Sequence, residues 1–490
     1  MKKVNLITVV GLIVTTFLYS CAKWLVIDEP KDAIAQVKMF ATEKQAENAL
    51  MGLYNYLIHG TSGSSITSNV FSGGLSTIAG SRSSYELIPS DVGSGGMPTL
   101  WRLNKEKSAA LWTSAYQAIF LANATIEGIS KSQSNELRDS VKRQFIAEAK
   151  FWRAFSHLYL IQFFGDVPLV LTSDFNQTRT YRRAPQGQVY DQILIDLQEA
   201  ERDLPRTFAA GSGQRVRVNA WGATALLARV YLYIRNYTTA ISKATEVIEA
   251  THLFTMPKLS DSFLANSQEA ILQLLPTNMY SDLLNATPEG YTFLPSPLNT
   301  GNSTYKLSDH LLEAFEPADQ REEQWVGLTD RTDSQLSSPT SVHFPFKYKQ
   351  GMHNGALGAP SPEYYTVLRL AEMYLIRAEA VLIDPGGNID IARADLNKIR
   401  IRAGLTDLPL TLGRQELVAS LWQERKVEFF VEWGHYWIDI CRNGSARDIL
   451  SNVSVNTPWL GDWQLLYPIP EDEIKNNNNI IQNEGYDQVR

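Results

Sequence analysis

Apolar positions recur with helical spacing along most of this chain. Between Val141 and Phe163, the residues Phe145, Ala149, Trp152, Ser156, Tyr159 and Phe163 fall alternately four and three apart, which is one face of a helix. Gly165-Asp166-Val167-Pro168 predicts its end, with Gly just past the last turn and Pro beyond. From Asn219 to Arg235, Ala223, Leu227, Val230 and Ile234 share a face, and after a short turn Tyr237, Ala240, Ile241, Ala244, Val247 and Ile248 share another. Small Ala residues on facing sides let two such helices approach closely. A second pair is read from Leu368, Ala371, Leu375 and Ala378 with Ile391, Ala394, Asn397 and Ile399, joined by the turn-rich Asp384-Pro385-Gly386-Gly387-Asn388. Trp112 to Ile129 pairs with Val141 to Phe163, and Val189 to Leu204 is closed by Pro205.

The expected fold is therefore all-α for the most part, a stack of helical hairpins that resemble tetratricopeptide repeats. Two stretches break the periodicity. Residues 60–104 are rich in Gly and Ser yet carry Phe71, Tyr85 and Trp101. Residues 276–362 are rich in Pro, Gly, Asn and Thr and carry Tyr280, Tyr291, Tyr305, Trp325, Phe344, Phe346 and Tyr348. Long irregular insertions in a compact body are usually functional or disordered, and this aromatic content argues for function. They are predicted to form a ligand face.

The N-terminus changes the picture. Lys2-Lys3 precede an apolar run from Val4 to Leu18, too short to span a membrane and flanked like an export signal. It ends in Leu18-Tyr19-Ser20-Cys21, which resembles a bacterial lipobox, so residues 1–20 are predicted to be a lipoprotein signal peptide and Cys21 the lipidated residue. The competing reading is an ordinary signal peptide cut near a chance Cys. The second cysteine, Cys441, sits in an apolar setting and reads as a packing residue, which excludes a disulfide framework. A net charge of −7 is mild and of the wrong sign for a phosphate-binding surface, so no nucleic-acid partner is expected.

Aromatic faces stack on the C–H surfaces of sugars, so exposed, rigid aromatics in irregular segments are the natural ligand candidates. Trp101, after Gly95-Gly96-Met97-Pro98, is the first candidate; Trp325, in Arg321-Glu322-Glu323-Gln324-Trp325, is the second; Tyr85, Phe71, Tyr280, Tyr291 and Tyr348 follow. The competing reading of each is an aromatic packed in a satellite core. Glu424, Glu428 and Glu432 share a helix face, but with Arg425 in the same helix and no His at ligand spacing they read as an ion-pair network, not a metal site. The seven His form no metal-binding pattern, and no Gly-x-Ser-x-Gly elbow or phosphate loop occurs. No catalytic residue, metal or cofactor is expected.

Several ordered motifs resemble the SusD/RagB-like nutrient-binding lipoproteins of Bacteroidetes. They are Leu25-Val26-Ile27-Asp28-Glu29-Pro30 after Cys21; Phe40-Ala41-Thr42-Glu43 through Leu53-Tyr54; and Glu148-Ala149-Lys150-Phe151-Trp152-Arg153-Ala154-Phe155 ending at Phe164-Gly165-Asp166-Val167-Pro168-Leu169. Further on come Leu368 to Ala380, Leu396 to Leu405, Glu424-Arg425-Lys426-Val427-Glu428 with Trp437-Ile438-Asp439-Ile440 and Arg442, and Tyr467-Pro468-Ile469-Pro470 to Tyr486. Tyr436 stands where that family usually has Arg. The resemblance implies a lipidated tether at 21–40, an N-terminal helical-repeat region at 41–260 with the insertion 60–104, and a C-terminal region at 261–490 with the insertion 276–362. It also implies a lipid-anchored protein at the outer membrane, facing outward. There it would bind a glycan or oligosaccharide and hand it to a TonB-dependent, SusC-like outer-membrane barrel. A peptide-binding relative on the same scaffold and a secreted glycosidase are the alternatives.

Overall fold

The computed structural model describes residues 39–60, 70–89, 97–276, 285–295, 305–331, 340–351 and 360–488. Cys21 and Tyr280 lie outside the described residues. Helix α1 (Glu43–His59) begins at a reciprocal cap: the Thr42 hydroxyl accepts from the Gln45 N–H, and the Gln45 carboxamide oxygen accepts from the Thr42 N–H at 3.1 Å. A π-turn at Phe71–Leu75 leads into the short α2 (Ser76–Ser83). Then come α3 (Leu100–Lys131), α4 (Asp139–Phe164), α5 (Gln186–Asp203), α6 (Ala220–Tyr233) and α7 (Tyr237–Glu249). Asn219 and Asn236 start α6 and α7 by accepting from the N–H groups of Gly222 and Thr239. After the second insertion follow α8 (Leu370–Ile383), α9 (Ile389–Arg402), α10 (Arg414–Glu428) and α11 (His435–Arg442).

From α3 to α10, each of these helices packs against the next in this series, and α1 lies across α3 and α4. The result is mostly helical, as the periodicity predicts. Helix α4 differs in one respect: the predicted face is buried, but so are Ala147, Phe151, Ala154, Phe155 and Leu158 on other sides. It runs through the middle of the molecule. Its aromatics continue into the C-terminal part, where Phe155 and Tyr159 meet Trp433 at ring distances of 5.4 and 5.6 Å.

Among the described residues, three two-stranded antiparallel ladders organise the irregular stretches. Strands β2 (Ala270–Leu274) and β6 (Tyr365–Arg369) pair at the base of the second insertion, with Ala270 opposite Arg369 and Leu274 opposite Tyr365. Strands β4 (Val326–Arg331) and β5 (Thr340–Pro345) form a hairpin within it. Most consequential is the pairing of β1 (Leu87–Pro89) with β3 (Tyr305–Leu307), because it ties the first insertion to the second. The main hydrophobic core draws on residues from Phe40 to Ile480, and a second, smaller cluster with Ala371, Leu375, Leu396, Leu417 and Leu421 lies among α8, α9 and α10.

Glu424 and Glu428 of α10 lie in an ion-pair network with Glu432, which stands past the helix end rather than on its face as the spacing predicts, and the network's cations are not the neighbouring Arg425. Arg321 reaches Glu424 at 3.0 Å and Glu428 at 3.1 Å, Arg369 reaches Glu432 at 2.7 Å, and Lys347 reaches Glu432 at 2.9 Å. Arg425 turns to Asp439 instead, at 2.7 Å. Among the described residues no group of three His, Cys, Asp or Glu is placed to hold a metal, and no helix is long and apolar enough to cross a membrane.

Candidate functional site

The first insertion, tied to the second through β1 and β3, ends at the start of α3, and Trp101 sits in the first turn of that helix. The sequence reading placed Trp101 ahead of a helix beginning near Trp112; the helix begins at Leu100 instead. Thr99 makes no side-chain cap there. The missing acceptor comes from far along the chain: Asn456 Oδ1 accepts from the Leu100 N–H at 3.0 Å and lies 3.1 Å from the Tyr85 hydroxyl, which also donates to the Pro98 carbonyl at 3.0 Å. The Asn456 amide donates in turn to the Leu450 carbonyl at 3.1 Å. One buried side chain thus pins residues 97–100 to the 450–456 segment.

The next turn is fixed as firmly. Arg82, at the end of α2, is buried and grips Glu106 of α3 with two hydrogen bonds of 2.8 Å. Burial opposes the charge on Arg82, but the Glu106 carboxylate more than offsets it, so the guanidinium titrates above its ordinary value. Asn104 donates to the Gln464 carbonyl at 2.7 Å and accepts from Ser83 Oγ at 2.7 Å. Tyr305 of β3 is an electrostatic neighbour of Arg82 and meets the ring of Phe293 edge-on at 6.0 Å.

Trp101 itself is half-buried, and the Arg102 guanidinium lies 5.2 Å from its ring centroid. Its indole N–H has no acceptor among the described residues. A rigidly mounted indole with spare hydrogen-bonding capacity can stack on a sugar ring and donate to its oxygens. Trp459, half-buried just beyond the pinned segment, donates to Asp462 at 3.0 Å, and Trp463 packs edge-on against Tyr486 at 4.8 Å. Sequence reasoning passed over both. Their signal was the one used for Trp101: a tryptophan in a Pro- and Gly-containing irregular stretch.

The other aromatic candidates separate. Trp325 is 1% exposed, the last residue of a short helix, and its indole donates to the Leu259 carbonyl at 3.2 Å. Phe263 and the Lys347 ammonium stand 5.5 and 5.1 Å from its ring. It is a core residue with no face left for a ligand, a correction to the sequence reading. Phe71 is corrected likewise: it is buried against Phe155 and Tyr159, because the π-turn directs it inward. Tyr85 is buried and spends its hydroxyl on positioning residues 97–100. Tyr348 is buried, and its hydroxyl accepts from the Thr366 N–H at 3.0 Å. Tyr291 is half-buried on the short helix Pro288–Phe293.

The comparisons agree with this architecture. Residues 80–232 match a family model described as starch-binding and associating with the outer membrane, and residues 285–486 match the model of the SusD family. A SusD-like protein of Formosa agariphila is 25% identical over 415 residues, covering 77% of this chain and 80% of the relative. A SusD-like protein of Bacteroides fragilis superposes with a TM-score of 0.72 at 20% identity, over 94% of this chain and all of that one (100%). A laminarin-binding SusD-like protein superposes with a TM-score of 0.69 at 22% identity, over 91% and 100% of the two chains. The chain is a mostly helical protein of a carbohydrate-binding, outer-membrane-associated class. It belongs to the SusD/RagB-like family.

Proposed function

We propose that this protein is a lipid-anchored, outward-facing lipoprotein that captures a glycan or oligosaccharide on the Trp101 face and delivers it to a TonB-dependent, SusC-like barrel. The observation that carries the reading is Trp101: a half-buried indole in a helix turn fixed by Asn456 and by the Arg82–Glu106 pair, at the end of an insertion that β1 and β3 tie to the second. The starch-binding description of the matched model and the laminarin-binding neighbour favour a glycan over a peptide. Binding without turnover is the role we assign. The two buried carboxyls shifted furthest toward neutrality, Glu86 and Glu289, lie in the core and not on the Trp101 face.

The test is a calorimetric titration of the full chain in mild detergent with oligosaccharides and peptides. Trp101→Ala is expected to weaken glycan binding about ten- to hundredfold at unchanged melting temperature, as for the loss of a stacked aromatic. Trp325→Ala is expected to cost about 3–5 kcal/mol of folding stability, as for a core Trp. Full affinity in Trp101→Ala, or binding of peptides alone, would overturn the assignment. Co-purification with a barrel, and its loss from membranes on Cys21→Ser, test the delivery and anchoring parts.

A further inference from the structure

A cavity of about 360 Å³ opens between α10, α11 and the short helix Ala446–Leu450. None of the residues assigned above to the Trp101 face lines it. Its walls include Trp422, Gln423, Lys426, Tyr436, Asn443 and Ser445. The size is within the roughly 300–1,000 Å³ typical of small-ligand sites.

What distinguishes this cavity is a surplus of donors. Lys426 is 9% exposed, yet no carboxylate among the described residues lies within ion-pair distance of it. Its ammonium instead donates to the His310 carbonyl at 3.0 Å and meets His310 Nε2 at 3.0 Å, which leaves one of its three protons. Burial pushes Lys426 down to about 8, with Glu86 and Glu313 as more distant acids. Tyr436 carries the ammonium 5.4 Å from its ring centroid, and its hydroxyl donates to no described residue. The Trp422 indole N–H likewise has no acceptor among the described residues. Asn443 uses its oxygen to accept from the Ser445 N–H at 2.8 Å and Oγ at 2.6 Å, which leaves its amide protons.

The nearby acid does not cancel this surplus. Asp439 also lines the cavity, but its oxygens are occupied by Arg425 at 2.7 and 3.0 Å and by Arg442 at 2.8 and 3.0 Å. Glu379 pairs with Arg442 as well. Asp439 and Glu379 thus answer the guanidiniums of Arg425 and Arg442, and Lys426 is left with only the more distant Glu86 and Glu313. A buried cation normally keeps an anionic partner. Lys426 lacks one among the described residues, in the wall of a cavity also lined by an indole and a phenol whose N–H and O–H are open to a ligand.

We infer that this cavity binds the carboxylate of an acidic sugar unit, with Lys426 taking the charge and Trp422 and Tyr436 flanking the ring. The choice of a sugar over any other small carboxylate rests on the glycan reading above; the anion preference rests on the donors alone.

The test is titration of the full chain in mild detergent with glucuronate, glucose and acetate. Glucuronate is expected to bind, with glucose and acetate each at least about tenfold weaker, since one lacks the charge and the other the ring. Lys426→Met is expected to weaken glucuronate about tenfold or more at unchanged melting temperature, and Trp101→Ala to leave it intact. Should Lys426→Met fail to fold, Trp422→Phe keeps an aromatic face while removing the N–H with the pyrrole half of the indole, and a several-fold loss is expected there. Equal binding of glucose or acetate, full affinity in the tested variant, or loss in Trp101→Ala alone would each overturn the site. Glucuronate binding that depends on Lys426, without any neutral oligosaccharide binding, would sustain this inference while refuting the Trp101 face.

Discussion

Glu289 is a carboxyl group that this fold holds close to neutrality. It is buried, accepts from Thr77 Oγ1 at 2.6 Å and from the Tyr365 hydroxyl at 2.9 Å, and burial pushes it from 4.5 to about 7. Glu432 adds to the rise and Lys347 opposes it. In the unfolded chain the same group titrates near its ordinary value, so between these limits the folded state holds the extra proton. Its stabilisation is full below the unfolded value and is lost as pH rises through about 7. Glutamine keeps the acceptor oxygen for both hydroxyls and removes the titration. Glu289→Gln is therefore expected to retain about 3 kcal/mol more of its pH 5 stability at pH 8 than the parent does, read from urea unfolding at the two pH values. Parallel pH profiles for the two proteins would refute it.

At the scale of elements, the start of α3 shows where local sequence stops being informative. Apolar periodicity is clear from Trp112 onward, but the first turns carry Arg102, Asn104, Lys105 and Glu106, which look like loop residues. They are helical because their partners are distant: the acceptor for the Leu100 N–H lies 356 positions away and that for the Asn104 amide 360 positions away. Asn456→Ala should leave the Leu100 N–H and the Leu450 carbonyl without their partner, a cost of about 1–3 kcal/mol. Hydrogen exchange at the Leu100 and Trp101 amides should accelerate, and glycan binding on the Trp101 face should weaken with it. Unchanged exchange there would show that the turn stands without Asn456.

For the molecule as a whole, the decisive feature is the buried charge cluster that joins β6, α9 and α10. Arg369 donates to Glu432 at 2.7 Å, to Glu269 at 2.9 Å and to the Glu428 carbonyl at 3.0 Å, with Arg402 reaching Glu269 at 2.8 Å. These acids come from widely separated parts of the chain, so the cluster can form only when those parts are assembled. Arg369→Met should leave several carboxylates short of a cation, a loss of about 3–5 kcal/mol, while unfolding remains a single transition. A melting temperature equal to the parent's would show that the remaining arginines suffice.

Much of this was written locally. The spacing of Phe145 to Phe163, the Asn caps of α6 and α7 and the turn after Ile383 specify helices from neighbours alone, because their hydrogen bonds close within a few residues. The motifs from Glu148 to Leu169 and from Leu368 to Leu405 were enough to suggest the family. Exposure was not local. Trp101 and Trp325 sit in similarly irregular, polar stretches, yet one is half-exposed and the other sealed beneath Phe263 and Lys347. Which side chain remains open is set by what else packs there, and those partners come from elsewhere in the chain. The same holds for Lys426: its place in a helix was legible, whereas the lack of a carboxylate beside it depended on where every other acid was drawn.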